Sequence, residues 1–213
     1  GERISLQLWN VYSTTMFPLT DDYEMANDTL TEMSDVIDRG FSSYGGRYTA
    51  TRELIEYLQP TLPDDDEERA SLVGDGLASC VMGFDHKDKT RSRTILLATD
   101  NEVWGEGIYN LTEAIAFAKR QNVTVTALYP GSMDMLSSEA TDLRDQVQST
   151  GGDFYDASSP ASVDSVVQQI EAEQKEDLDS NGKMLETDRP TAALGWTLVG
   201  VVSLLGLLAF GRL

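Results

Sequence analysis

The sequence has little of the chemistry that most often marks an enzyme or a disulfide-bonded domain. Its 213 residues include one cysteine, Cys80, and one histidine, His86. A single cysteine excludes an internal disulfide, so cysteine usage does not indicate a redox compartment. The glycines at residues 74 and 76 lack the lysine and the spacing of a phosphate-binding loop, which excludes that motif.

Basic residues are scarce as well. The chain has 16 Lys and Arg against 36 Asp and Glu, which gives a net charge of −20. Such a surface repels phosphate groups, so we exclude nucleic acid as a partner. The excess of acid favours solubility and basic or cationic partners.

One long hydrophobic run is present, near the end of the sequence. Nineteen residues from Ala192 to Phe210 carry no charge, and a helix of this length, at about 1.5 Å per residue, matches a hydrocarbon core of about 30 Å. We therefore predict a single transmembrane helix over residues 191–213, with Trp196 near one interface. Residues 179–190 are predicted to form a charged stalk before it.

The preceding residues, 1–178, are predicted to form one α/β domain. Predicted strands at residues 3–9, 91–100 and 123–128 are each followed by a predicted helix, and a short strand is expected at residues 153–156. This alternation implies parallel pairing. We therefore predict a doubly wound, mostly parallel sheet, in which ligands gather at the carboxyl ends of the strands.

The apolar residues of each predicted element indicate which face is buried. The continuous apolar centre of residues 91–100 is typical of a strand buried on both faces. Helical spacing predicts four apolar stripes, which are Ala26/Leu30/Met33/Ile37, Val73/Leu77/Val81/Phe84, Leu111/Ala114/Ile115/Ala118 and Leu136/Ala140/Leu143/Val147. A last helix is expected to carry Val163, Val166, Val167 and Ile170.

Two polar residues stand at positions where such a fold carries function. Asp100 directly follows a hydrophobic strand, and Ser71 precedes a helix that begins with Gly74 and Gly76. Each also has a purely structural interpretation, Asp100 as a turn residue and Ser71 as a helix N-cap. The sequence pattern alone leaves both interpretations open.

Five segments, taken in order, resemble the von Willebrand factor type A domain. The strand through Trp9 resembles the segment that opens with Gly-Asp-Arg in that family, and Ser71 and Asn101 replace its usual threonine and glycine. The five segments are Gly1-Glu2-Arg3-Ile4-Ser5-Leu6, Pro18-Leu19-Thr20-Asp21-Asp22, Ser71-Leu72-Val73-Gly74-Asp75-Gly76-Leu77, Thr94-Ile95-Leu96-Leu97-Ala98-Thr99-Asp100-Asn101 and Ser149-Thr150-Gly151-Gly152-Asp153-Phe154-Tyr155.

The resemblance implies a metal-ion-dependent adhesion site for Mg²⁺ or another divalent cation. Ser71 would supply a hydroxyl ligand and Asp100 a direct or water-bridged carboxylate, while the ion keeps a position open for an acidic group of a protein partner. Asp75 matches no ligand of the family and is expected to be a surface residue. The family's main ligand motif, Asp-x-Ser-x-Ser, is absent at a suitable strand end. Either a strand and helix missing upstream from this fragment supply it, or the protein binds no metal.

A domain, a charged stalk and a membrane helix in this order resemble the bacterial membrane-anchored group associated with MoxR-type ATPases, which includes the Bat aerotolerance proteins. This resemblance implies a scaffolding or assembly role at the cell envelope. The basic residues beside the hydrophobic run, Lys183 and Arg189 before it and Arg212 after it, do not decide its orientation, and we expect the acidic domain outside the cytoplasm. One alternative is a degenerate member that acts as an interaction domain without metal.

A second alternative is a hydrolase or phosphotransferase that uses Asp100. Against it, His86 lies in a charged segment, and Cys80 lies on the apolar face of its helix, where a small core residue is expected. We therefore expect a binding protein rather than an enzyme, with no small-molecule substrate.

Overall fold

The computed structural model describes residues 2–44, 47–63, 70–85, 92–131, 133–157, 165–166 and 168. The stalk at 179–190, the hydrophobic segment at 191–213, His86 and most of the last predicted helix lie outside these residues. Within the described ranges, no helix is long and apolar enough to cross a membrane.

The described chain is a mixed α/β structure with seven strands and five α-helices. The strands are β1 (Ile4–Trp9), β2 (Ser13–Thr20), β3 (Phe41–Tyr44), β4 (Arg47–Ala50), β5 (Thr94–Ala98), β6 (Thr124–Tyr129) and β7 (Phe154–Asp156). The helices are α1 (Tyr23–Arg39), α2 (Arg52–Leu58), α3 (Val73–Gly83), α4 (Leu111–Arg120) and α5 (Ser138–Gln148), and a 3-10 turn covers Gln59–Thr61.

The predicted parallel sheet is confirmed for three strands, in the order β5-β6-β7. β5 pairs with β6 from Thr94↔Thr124 to Ala98↔Leu128, and β6 pairs with β7 from Ala127↔Phe154. One face of this sheet packs against α3, α4 and α5. The predicted stripes form that core, since Leu77, Ala114, Leu143 and Val147 are fully buried.

The first predicted strand is present as β1, but it does not join the parallel sheet. It pairs antiparallel with β2, a strand that the sequence pattern did not reveal, in a separate two-stranded sheet. A second unpredicted hairpin joins β3 and β4, with Phe41 opposite Ala50. The prediction that the first strand leads directly to a helix was therefore wrong.

Two predicted faces also differ from the structure. On α1 the buried residues are Ala26 and Val36, whereas Leu30 and Ile37 are 41% and 44% exposed. On β5, Ile95 and Leu97 are buried but Leu96 is 46% exposed, so this strand is covered on one face only.

Candidate functional site at the carboxyl ends of the strands

Asp100 lies in the loop that leaves the carboxyl end of β5. Its side chain is exposed, and Oδ1 accepts a hydrogen bond from the Glu102 amide at 3.0 Å. This is the turn geometry that short acidic side chains commonly make. The predicted turn role of Asp100 is therefore present, and it leaves the carboxylate on the surface of the loop.

The neighbouring residue, Asn101, is buried and strained into the left-handed region at φ 61°. Asparagine tolerates this conformation better than most residues. Its amide nitrogen Nδ2 donates to the Glu139 carbonyl at 2.8 Å, while Oδ1 is buried without a hydrogen-bond partner in the described structure. Asn101 thus ties the loop after β5 to the first turn of α5.

Ser71 does not cap α3. The N-cap of that helix is Leu72, which makes no side-chain capping bond, and Ser71 instead forms an isolated antiparallel bridge with Trp104. The Ser71 amide donates to the Trp104 carbonyl at 2.9 Å, and the reverse bond is 3.3 Å long. The N-cap interpretation of Ser71 was therefore wrong.

The bridge joins the two loops that carry the predicted ligands. Trp104 lies four residues after Asp100 in the same loop, so Ser71 and Asp100 are held at the same end of the sheet. Between these two described side chains themselves there is no hydrogen bond. The next residue, Leu72, donates its amide to the Asn10 carbonyl at 3.0 Å, which adds the turn between β1 and β2 to the same cluster of loops.

Asp75 has a role that the sequence analysis missed. Its carboxylate accepts the backbone amides of Ile108 at 3.0 Å and of Tyr109 at 2.7 Å, so it fastens the start of α3 to the loop before α4. The close approach also requires glycine, because a Cβ at Gly74 would lie 2.1 Å from the Tyr109 carbonyl oxygen. Asp75 is a structural residue of the site rather than a plain surface residue.

Hydrogen bonding and burial shift the pKa values of two groups on the helices that support the site. The pKa of Glu139, in the first turn of α5, is lowered by hydrogen bonds from its own backbone amide and from the hydroxyls of Ser138 and Ser137. Burial raises the pKa of Cys80 to about 11, so its thiol stays protonated at neutral pH. A protonated, half-buried thiol is a poor nucleophile.

In the ranges that the structure describes, no group of three or more His, Cys, Asp or Glu side chains could hold a metal ion. Ser71 and Asp100 offer one hydroxyl and one carboxylate, which are the oxygen donors that Mg²⁺ prefers, but Mg²⁺ needs about six ligands.

These features define a mixed α/β domain with a loop cluster at the carboxyl edge of a parallel sheet. No protein-family model matches the chain, and no curated protein does. Among solved structures, an aerotolerance-related membrane protein from Bacteroides fragilis matches at 15% identity with a TM-score of 0.44, over 84% of this chain and 79% of that one. An uncharacterized membrane-spanning protein from Vibrio fischeri matches at 19% identity with a TM-score of 0.31, over 80% and 75% of the two chains.

Proposed function

We propose that this protein is a membrane-anchored bacterial interaction module of the von Willebrand factor A type, which binds a protein partner through the loops at the carboxyl end of its sheet. One observation carries the proposal: the Ser71–Trp104 bridge holds the loop of Ser71 against the loop of the exposed Asp100. In open α/β sheets this edge is where ligands bind.

The proposed fold is a doubly wound sheet with one further strand between β1 and β5. The start of α3 lies at the carboxyl end of β1, because Leu72 bonds to Asn10. The end of α3 lies near the start of β1, because Arg3 forms an ion pair with Asp85. Residues beyond the carboxyl end of β5 also meet the start of α3, through the Ser71–Trp104 bridge. β1 and β5 therefore run in the same direction beneath one helix.

The pairing of these two strands leaves room for that addition. Among the described residues, β1 pairs only with β2 and β5 only with β6. The uncovered face of β5, with Leu96 and Ala98 exposed, is where a helix following the added strand would pack. In the family that the sequence resembles, a strand and helix of this kind precede the segment that residues 1–9 resemble.

The added strand would also complete a cation site. Ser71 and Asp100 would hold Mg²⁺ or another divalent ion together with oxygens from the Asp-x-Ser-x-Ser segment that the family carries on this strand. The bound ion would supply a Lewis-acidic position for an acidic group of the partner. The role of this chain's own residues is to hold a hydroxyl and a carboxylate on two loops fastened to each other.

A metal-free interaction domain is the second candidate. It is favoured by the way the nearby acidic groups are used, since Asp75 accepts two backbone amides and Asp100 Oδ1 accepts a third. In this version the same loops bind a partner directly.

Calorimetric titration with Mg²⁺ and Mn²⁺ distinguishes the two candidates. The protein is expressed from its full gene, as wild type, as Asp100→Ala and as Glu102→Gln, an exposed acid in the same loop. Binding that is lost in Asp100→Ala and kept in Glu102→Gln supports the cation site. A folded wild type that binds neither ion leaves the metal-free module.

Membrane attachment is proposed for residues 191–213, after a stalk at 179–190, with the acidic domain outside the cytoplasm. Protease treatment of intact bacterial spheroplasts tests both parts of this arrangement. Cleavage of the domain from outside, together with retention of a C-terminal tag in the alkali-washed membrane fraction, is the expected result. Protection of the domain would place it on the cytoplasmic side.

A further inference from the structure

The loops at the carboxyl end of the sheet expose an unusual amount of apolar surface. Trp104 is 67% exposed, Ile108 is 86% exposed and Met135 is 85% exposed. Val103, Tyr12 and Met133 are exposed in the same three loops. We call this set the apolar rim, and it consists of Tyr12, Val103, Trp104, Ile108, Met133 and Met135.

Hydrogen bonds connect the three loops that carry the apolar rim. Asn10, in the turn that holds Tyr12, accepts the amide of Leu72, and the adjoining Ser71 pairs with Trp104. Asn101 bonds to Glu139, just after the loop that holds Met133 and Met135. The three loops that carry the apolar rim are therefore neighbours at the same end of the sheet.

The longest of these loops is held in shape before any partner arrives. Trp104 is fixed at its backbone by Ser71, and Ile108 is fixed at its amide by the Asp75 carboxylate. Between them, Gly105 has φ +91°, a conformation that few other residues adopt readily. A preformed loop loses little conformational entropy on binding, and exposed tryptophan is among the side chains that contribute most at interfaces.

The charged residues in the three loops that carry the apolar rim are all acidic. Asp100, Glu102 and Glu106 are exposed in the loop that carries Trp104 and Ile108. The segments that build this surface, residues 10–22, 94–118 and 130–143, contain no lysine or arginine. The surface is therefore apolar and acidic at once, so it attracts positive charge and repels negative charge.

We propose that the apolar rim binds a segment of a partner protein that carries apolar and basic side chains. This inference rests on the proposed binding role of these loops. It does not require a bound cation. The two differ in the partner they select, since the apolar rim would bind a basic segment and the cation site an acidic group. A second copy of this chain would bring the same acidic surface and be repelled. An anionic bilayer would be repelled for the same reason.

Selection from a phage library of random peptides tests the chemistry of the partner. The target is the whole 213-residue chain in phosphatidylcholine nanodiscs, with EDTA in one selection and Mg²⁺ in another. We expect enriched peptides with net positive charge and at least two large apolar residues, in both selections. The affinity of the best peptide should fall about tenfold or more in Trp104→Ser and Ile108→Ser, as expected of central contacts.

One matched control and one test of the acidic residues make the result specific. Ile37→Ser removes an exposed apolar side chain from α1, outside the apolar rim, and should leave the affinity unchanged. Glu102→Gln combined with Glu106→Gln should weaken binding and flatten its dependence on salt. Circular dichroism checks that each variant is folded.

Other outcomes would overturn the inference. Enrichment of acidic peptides in place of basic ones, with or without Mg²⁺, would sink the apolar rim. No enrichment, or equal binding by Trp104→Ser and wild type, would sink it as well. Quenching of Trp104 by brominated lipid in the nanodisc, measured as the difference between wild type and Trp104→Phe, would show that the bilayer covers this surface instead.

Discussion

The parallel-sheet region, residues 71–157, and the hairpin region, residues 2–63, bury their apolar side chains to very different extents. All members of the main buried cluster lie between Val73 and Val147. The hairpin region buries four hydrophobic residues and exposes a larger number of large ones. Those buried are Phe17, Ala26, Val36 and Leu54, and those exposed are Ile4, Tyr12, Tyr23, Leu30, Ile37, Phe41 and Ile55.

This difference indicates where each region finds its packing partners. The helices α3, α4 and α5 meet β5 and β6 within the described chain, so their apolar stripes are fully used. The hairpin region has apolar side chains left over, and β5 has one face left uncovered at Leu96. The hairpin region and the outer face of β5 therefore bury less apolar surface than the face of the sheet that α3, α4 and α5 cover.

The largest expected effect comes from a substitution that creates a cavity in the core of the parallel-sheet region. Leu77 on α3 is 0% exposed, so Leu77→Ala should lower the free energy of unfolding by about 3 kcal/mol through lost burial and an unfilled cavity. Urea denaturation of the chain in detergent micelles, followed by circular dichroism, measures it. Ile37→Ala on α1, where the side chain is 44% exposed, should cost less than about 1 kcal/mol. Equal losses for the two variants would contradict the comparison.

A somewhat smaller loss is expected from crowding at the start of α3. A Cβ at Gly74 would lie 2.1 Å from the Tyr109 carbonyl oxygen, and neither backbone can move freely, so Gly74→Ala should destabilise the protein by about 2 kcal/mol. Gly83→Ala, at the end of the same helix, is the control. Its Cβ meets only the amide end of the flexible Gln7 side chain at 2.9 Å, and no loss of stability is expected. A harmless Gly74→Ala would mean that α3 and the loop before α4 are not in contact.

Removal of one acceptor at Asp75 should cost less again. Asparagine keeps one side-chain oxygen, so Asp75→Asn gives up one of the two bonds to Ile108 and Tyr109 and lowers stability by about 1 kcal/mol. The same urea titration gives this loss, while the exchange of the Ile108 and Tyr109 amides with deuterium should accelerate. Glu106→Gln, which is exposed in the same loop, should change neither quantity. Unchanged exchange in Asp75→Asn would show that the loop is held by other contacts.

The comparison also explains which parts of the fold were predictable. The stripes of α3, α4 and α5 were correct within the helices because their partners are strands of the same sheet, so helical spacing alone identifies the buried face. Their end members Phe84 and Leu136 lie just outside the helices and are half-buried. On α1 the apolar residues cover a wide arc, and the side chain that is buried, Val36, lies next to the predicted Ile37. Helical spacing cannot choose between neighbouring residues when few partners press on the helix.

Strand β2 was missed for a related reason. Its sequence, Ser13–Thr20, is rich in hydroxyl residues and contains Pro18, and among its residues only Phe17 is buried. A strand with one buried side chain gives almost no alternating signal. Its antiparallel pairing with β1, rather than an alternation of buried and exposed side chains, holds this strand in place.

The site was predictable to the extent that it depends on side chains at strand ends. Asp100 and Ser71 were found because a polar residue after an apolar strand, or before a helix rich in glycine, stands out in sequence. The Asp75 contact was not found, since its partners are two backbone amides more than thirty residues away. Backbone amides exist at nearly every position and therefore leave no mark in a sequence.

The last expected change depends on pH and concerns Cys80, on the side of α3 that packs against the core. Burial raises the pKa of its thiol from 9.0 to about 11, so the folded state holds the proton more tightly than the unfolded state. The stabilisation is therefore fully present below pH 9 and is lost as the pH rises from 9 to about 11. At pH 10, about one unit above the unfolded value, the loss should be of the order of 1 kcal/mol.

Urea titrations of wild type and Cys80→Ala at pH 8 and pH 10 isolate this contribution, because every other titrating group is common to both proteins. Wild type should lose more stability than Cys80→Ala between the two pH values. Alkylation by iodoacetamide at pH 8 should also be roughly a hundredfold slower in the folded protein than in urea, since the thiolate fraction falls about tenfold per unit of pKa. A thiol that reacts equally fast in both states would mean that the face of α3 bearing Cys80 is open to solvent. The more complete burial of the parallel-sheet region would then not extend to the edge of its core.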